Sequence, residues 1–255
     1  YGDLNHKINF VQNLRSSEDY IYKHVLNVAI LSAIIAGQMG FSVGRINLLV
    51  KSAILHDIGA LKLPQLLDAE DLDDGTKEVV KKNTQETLAR YGDLDEEVPR
   101  LITQMQELYT SESDAEIPAA LKESVNANIL YVADAYDRMT AMKSFEEPTS
   151  EVKAVRELLA DEERYNKKIV NALIHGISIL YPGVCVELTN GEKGLVVTEN
   201  EDNIFEPIVL DFRNNNLYDL SDPSVKQTVE IADVMKTMDN RIKLDKNLLE
   251  EYQAN

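Results

Sequence analysis

Four histidines occur in the 255 residues, His6, His24, His56 and His175, so any imidazole chemistry rests on few positions. His56 is followed by Asp57, Ile58 and Gly59. An imidazole and a carboxylate side by side at a helix end can both turn inward where a glycine breaks the helix. Together they suit a hard-to-borderline divalent cation. The dipeptide alone also fits a surface aspartate beside a half-buried histidine. A further acid, Asp134, lies within Leu130-Tyr131-Val132-Ala133-Asp134-Ala135-Tyr136-Asp137-Arg138-Met139-Thr140. An acid between Val132, Ala133 and Tyr136 on an apolar helix is costly to bury unless it is paired or bound to metal. Asp137 follows one turn later, close to the same side. It either faces a ligand or forms a salt bridge with Arg138 or Lys143. His24 opens an apolar helix, where it either reaches the same cavity or serves as a hydrogen-bonded core histidine. His6 and His175 read as structural, His175 in the core among Leu173, Ile174, Ile177 and Leu180.

These residues need a scaffold, and the periodicity of residues 1–180 is almost wholly helical. Ile8, Val11 and Leu14 have helical spacing, and Arg15-Ser16-Ser17-Glu18 reads as a helix end and the cap of the next. The spacing predicts a buried helix over 20–36, a second over 43–57 stopped by Gly59 and Pro64, and amphipathic helices over 76–91 and 96–109. Residues 68–75 read as an acidic loop and 110–117 as an exposed polar one. Further helices are expected over 121–142, 150–160 and 167–180. Beyond Pro182 the period changes. Val184-Cys185-Val186-Glu187-Leu188 alternates and runs into Thr189-Asn190-Gly191, a hairpin signal. Strands over 194–198 and 207–212, with Asn214-Asn215-Asn216 as a turn, complete a small antiparallel unit that needs packing on something larger. A helical tail is expected over 224–252. The expected fold class is mainly α, a helical bundle with a small antiparallel β subdomain and a C-terminal helical tail. The domains divide as 1–180, 181–220 and 221–255.

Three segments carry a resemblance. Tyr20-Ile21-Tyr22-Lys23-His24-Val25-Leu26-Asn27-Val28-Ala29, Ala53-Ile54-Leu55-His56-Asp57-Ile58-Gly59 and Val132-Ala133-Asp134-Ala135-Tyr136-Asp137-Arg138-Met139-Thr140 resemble the motifs of the bacterial HD-GYP family, in order and at similar spacing. The stretch from Tyr181 to Glu192 resembles the short β extension that follows many of these domains. The resemblance covers residues 16–212. It implies an all-helical HD-domain metal phosphohydrolase fold whose members hydrolyse cyclic di-GMP with two or three metals, typically iron or manganese. His56, Asp57 and Asp134 match ligands of that family, and His24 matches a histidine that lines or binds the site.

Other family positions are replaced. Asn83 stands at a ligand histidine, and Met105 and Gln106 stand at an adjacent histidine pair. The Gly-Tyr-Pro segment is absent, its place taken by Tyr109 to Glu116. Ala60 stands where the family usually has a lysine, although Lys62 is near. In the phosphate-gripping run, Lys143 keeps a cation for a cofactor or ligand and Glu146 replaces another. An amide and a thioether are poor ligands for iron or manganese, and without a second ion the bridging hydroxide is not made. The resemblance therefore implies a degenerate site with vestigial catalytic His56 and Asp57. No cofactor is expected; if one is held, it is a single divalent metal (Fe, Mn or Mg) on His56, Asp57, Asp134 and His24.

The balance of charge bears on partners. With 26 Lys+Arg against 44 Asp+Glu the net charge is −18, a poor match for nucleic acid or anionic lipid. The lone Cys185 excludes an internal disulfide framework and a cysteine-rich zinc site. The apolar stretch from Val28 to Ala36 is broken by Ser32 and short for a bilayer, so no membrane insertion and a cytoplasmic location are expected. The chain opens at Tyr1 instead of Met, as a segment of a longer protein would. The expected activity is signalling through protein partners, with a homo-oligomer as one arrangement. The alternatives are a phosphohydrolase of altered specificity using one metal, and a non-hydrolysing sensor of a cyclic dinucleotide.

Overall fold

The computed structural model describes Lys7 and residues 20–63, 74–110, 118–141 and 148–235. The chain forms two compact units, Tyr1–Thr149 with Ala154–Ile177, and Ser150–Lys153 with Ser178–Asn255. The first is helical. Helix α1 (Tyr20–Gln38) packs on α2 (Val43–Leu55), α6 (Val125–Thr140) and α8 (Lys167–Gly176). Helix α3 (Asp74–Leu88) packs on α4 (Glu97–Thr110), which also meets α2 and α6. The short α5 (Ala119–Lys122) precedes α6, and α7 spans Glu151–Ala160. Val28, Leu31, Ile34 and Ile35 of α1 and Ile129, Leu130, Tyr131 and Val132 of α6 are fully or nearly fully buried and form the centre of the core.

Helix α6 is buried on every side from Ala127 to Asp137, so its acids cannot face water. The helix expected over 121–142 is broken at Glu123-Ser124. Asn128 stabilises the break by donating its amide to the Leu121, Lys122 and Ser124 carbonyls, groups that a continuous helix would have satisfied itself. Helix α8 ends at Gly176, before the expected 180. His175 is exposed, its Nδ1 2.7 Å from the Asn171 carbonyl, which corrects its placement in the core. One step beyond Ile174 turns it by about 100° around the axis, away from the apolar face.

One described helix, over Ile21–Gln38, is long and apolar enough to cross a membrane, a longer run than the sequence pattern alone marked. Half of it is buried within the protein, and it carries the buried His24 and Ser32.

The second unit is a five-stranded antiparallel sheet in the order β4-β3-β2-β1-β5. Its strands are β1 (Cys185–Leu188), β2 (Lys193–Thr198), β3 (Ile208–Asp211), β4 (Leu217–Asp219) and β5 (Ile231–Val234). The β1–β2 hairpin turns at Gly191, whose φ of +81° suits a residue without Cβ. Asn215 takes a positive φ of 56° in the expected turn before β4. The expected tail helix is corrected here. Residues Pro223–Lys226 make one helical turn, α9, and the chain then enters β5, which pairs with β1. The apolar Ile231, fully buried, and the ion pair from Asp233 to Lys153 at 2.8 Å favour the strand. Residues 236–255, the rest of that expected helix, lie outside the described residues, as do His6, the helix expected around Ile8 to Leu14, and Lys143 and Glu146.

Candidate metal centre

Helix α2 ends at Leu55, and a tight turn carries His56, Asp57, Ile58 and Gly59. The Ile58 amide donates to the Leu55 carbonyl and the Ala60 amide to the Asp57 carbonyl. The turn lies directly against α3. A Cβ on Gly59 would fall 2.4 Å from both Thr84 Oγ1 and the Val80 carbonyl, and the Gly59 amide donates to that Thr84 hydroxyl at 3.1 Å. Glycine is therefore what allows the helix and the motif turn to touch.

Three elements converge on one point: α1 through His24, the turn through His56 and Asp57, and α6 through Asp134. His24 Nε2 lies 2.8 Å from Asp134 Oδ1 and 3.6 Å from Asp57 Oδ2. His56 Nε2 lies 3.2 Å from the same Asp134 oxygen and 3.4 Å from the same Asp57 oxygen. His24, His56 and Asp134 each offer an atom within 4.8 Å of the others, the spread of a coordination sphere. All three are buried, and Asp57 is 19% exposed.

The far sides of both rings are anchored. His56 Nδ1 meets the Ala53 carbonyl at 2.6 Å, and His24 Nδ1 meets Asp137 Oδ2 at 2.7 Å. The other Asp137 oxygen accepts from Asn27 at 2.8 Å. An acceptor at each Nδ1 draws the proton of a neutral ring there and turns each Nε2 lone pair towards the carboxylates, the arrangement that orients metal-binding histidines. Two imidazole nitrogens and two carboxylate oxygens converging in this way fit one divalent ion of the iron, manganese or zinc type. His24 lies in the group with His56 and Asp134, and the buried Asp137 hydrogen-bonds its ring from behind.

Without an ion the histidines and carboxylates neutralise each other. Burial works against the charged His56 imidazolium, but Asp57 and Asp134 outweigh it and the pKa is pushed up to about 10. Burial opposes the charged His24 too, and Asp134 raises it nonetheless. Burial would raise the Asp134 carboxyl, yet Arg138 and His24 hold it well below the usual carboxylate range. Asp57 is held down likewise, against burial, by His56 and Arg138.

Two residues at this centre were not singled out from sequence as parts of the site. Arg138 Nε donates to Asp134 Oδ2 at 2.7 Å and its terminal nitrogen to Asp57 Oδ2 at 3.2 Å. The Tyr109 hydroxyl donates to that same Asp134 Oδ2, and burial together with the Asp134 charge pushes its phenol well above the ordinary range, keeping it a neutral donor. The sequence suggests Arg138 as a salt-bridge partner for an acid of its own helix, and in the structure it reaches Asp134, one turn back. Its four-residue spacing from Asp134 was the available signal.

The positions where the resemblance leads one to expect other residues are occupied by packed side chains. Ala60 is buried with Ile21 and Val80, and Val25 and Leu63 pack against them. Lys62, the nearby cation, is exposed. Met105 is buried in the core at 1% exposure, and Gln106 donates to the His56 carbonyl at 3.4 Å. Asn83 is next to Thr84, the residue that touches Gly59, and its carbonyl accepts from Thr87.

Residues 21–139 match the family described as HD domain, a span that holds every member of this centre. The chain is 25% identical over 244 residues to the cyclic di-GMP phosphodiesterase PdeB of Borreliella burgdorferi, covering 91% of this chain and 63% of that protein. It is 22% identical over 202 residues to a cyclic di-GMP phosphodiesterase of Pseudomonas aeruginosa, covering 77% of this chain and 49% of the relative. The chain thus spans under two thirds of the length of either relative.

Proposed function

We propose that residues 21–139, which match the HD domain family and lie in a chain similar to two cyclic di-GMP phosphodiesterases, are a signalling domain that holds one divalent metal, does not hydrolyse cyclic di-GMP, and acts through a protein partner. The observation that carries this reading is the apolar packing of Ala60 and Met105. A lysine or a ligand histidine is expected at those positions from the HD-GYP resemblance, and here both are part of the core. A divalent ion on His24, His56, Asp57 and Asp134 would supply a Lewis acid and a more acidic bound water. The chain's own residues would orient it through Asp137, Asn27 and the Ala53 carbonyl. The cation that would meet the substrate phosphate and the donors for a second ion are replaced, so a cyclic dinucleotide lacks its clamp.

A second reading is a one-metal phosphohydrolase of altered specificity. The anchored Nδ1 atoms of both histidines favour it, because that degree of ligand orientation suits a site kept for metal. Metal content of the purified chain, measured beside turnover of cyclic di-GMP and a generic phosphodiester with added manganese, separates the readings. One ion and no turnover is the expected result. Turnover of the generic ester that disappears in Asp57→Ala would establish the second reading. Saturable nucleotide binding without turnover would point to a sensor, which the net charge of −18 disfavours.

A further inference from the structure

The two oxygens of Asp134 face different ways. Oδ1 meets the Nε2 atoms of His24 and His56, and Oδ2 meets Arg138 and Tyr109. A carboxylate that bridges two ions gives one oxygen to each. Here the outer oxygen is already taken by a guanidinium and a phenol, so Asp134 has one oxygen left for metal. The same guanidinium reaches Asp57 and so spans both ligand carboxylates. Charge leads to the same conclusion. Asp57, Asp134 and Asp137 contribute three negative charges; Arg138 and one divalent ion contribute three positive ones, and neutral imidazoles leave the buried centre balanced. A second divalent ion would leave it positively charged at low dielectric, an expensive state.

We propose that Arg138 is a built-in second cation of this centre: by holding the outer oxygen of Asp134 and spanning to Asp57, it limits the site to one divalent ion and weakens that ion's binding. This rests on the single-metal reading above. Arginine suits the part, since it is always protonated and its fork can serve two carboxylates at once. It is partly exposed, 41% by side chain, so its charge is placed at the mouth of the centre.

The test is calorimetric titration of the metal-free chain with Mn2+, for wild type, Arg138→Gln and Arg138→Lys. Repulsion between a guanidinium and a divalent ion a few ångströms apart implies a gain of about tenfold or more in affinity when the charge is removed. We expect one ion in wild type, binding at least about tenfold tighter in Arg138→Gln, and Arg138→Lys within about threefold of wild type because it keeps the charge. Unchanged or weaker binding in a folded Arg138→Gln would overturn the proposal, as would two ions in wild type or equal gains in both variants. A second measurement needs no variant. The Arg138 Nε–H resonance of the wild-type chain should remain protected from exchange when Zn2+ binds, because the ion takes Oδ1 and the guanidinium keeps Oδ2. Its loss on Zn2+ addition would count against the proposal. The two claims fail separately. Binding only in Arg138→Gln would support Arg138's role and sink the reading of a metal-holding wild type, turnover of cyclic di-GMP by a one-ion protein would sink the non-hydrolysing reading and leave Arg138's role standing, and no binding in any form would sink both.

Discussion

At the scale of single residues, the centre depends on which nitrogen of each histidine carries a proton. Asp137 draws the His24 proton to Nδ1, and the Ala53 carbonyl does the same for His56. Replacing Asp137 with alanine leaves the His24 ring without that anchor, and Mn2+ affinity should fall about 10–100-fold. An indicator-competition titration reads this; unchanged affinity would show that the ring does not need its support. A pH dependence follows from His56. Its pKa rises from 6.5 to about 10 in the folded, metal-free chain, so its pairing with Asp57 and Asp134 contributes stability that is full below about pH 6.5. That contribution is lost as pH rises towards about 10. The lowered Asp57 and Asp134 act oppositely, contributing above the ordinary carboxylate range and losing that contribution in acid. Metal requires the neutral ring, so ion binding near pH 7.5 should release protons, and apparent Mn2+ affinity should climb with pH. Calorimetry in buffers of different ionisation enthalpy measures the release; an enthalpy independent of buffer would contradict it. His56, Asp57 and Asp134 were legible in the sequence because apolar neighbours and a helix break made them conspicuous. Tyr109 and Arg138 were not, since an exposed-looking tyrosine and an arginine beside an acid have many ordinary uses, and only the tertiary contact assigns them to Asp134.

At the scale of elements, the site exists because a turn and a helix touch. Gly59→Ala would place a methyl group 2.4 Å from Thr84 Oγ1 and the Val80 carbonyl, which α3 can relieve only by moving. The expected cost is about 1–3 kcal/mol, with weakened Mn2+ binding in the same variant. Thermal melting with and without Mn2+ tests both, and a variant that melts and binds as wild type would show that α3 yields freely. The helices were largely legible from apolar periodicity, as α1, α2 and α4 illustrate. The break between α5 and α6 was not, because nothing local forbids a helix through Glu123-Ser124; Asn128 decides it by binding three carbonyls at once. His175 was misplaced for a related reason. Apolar neighbours in sequence were read as neighbours in space, although a helix sends adjacent residues in different directions.

At the scale of the whole chain, two units divide the labour, a helical one that holds the centre and a sheet that draws on both ends of its own sequence. The sheet's edge strand β5 was read as helix because charged residues at mixed spacing followed it, while the local pattern from Ile231 to Val234 was too short to weigh against them. Its pairing with β1, a non-local contact, fixes it as strand. Ile231→Ala should destabilise the sheet by about 2–5 kcal/mol and be read as faster amide exchange in β1 and β5, with unchanged protection as the contrary result. For the molecule as a whole the proposed function is that of a signalling domain that holds one metal and leaves cyclic di-GMP intact. The most direct measurement incubates the chain with an equimolar amount of cyclic di-GMP under saturating Mn2+ and follows the nucleotide by chromatography. The account predicts intact cyclic di-GMP beside a chain carrying one ion. Linear product that forms with wild type and not with Asp57→Ala would contradict it.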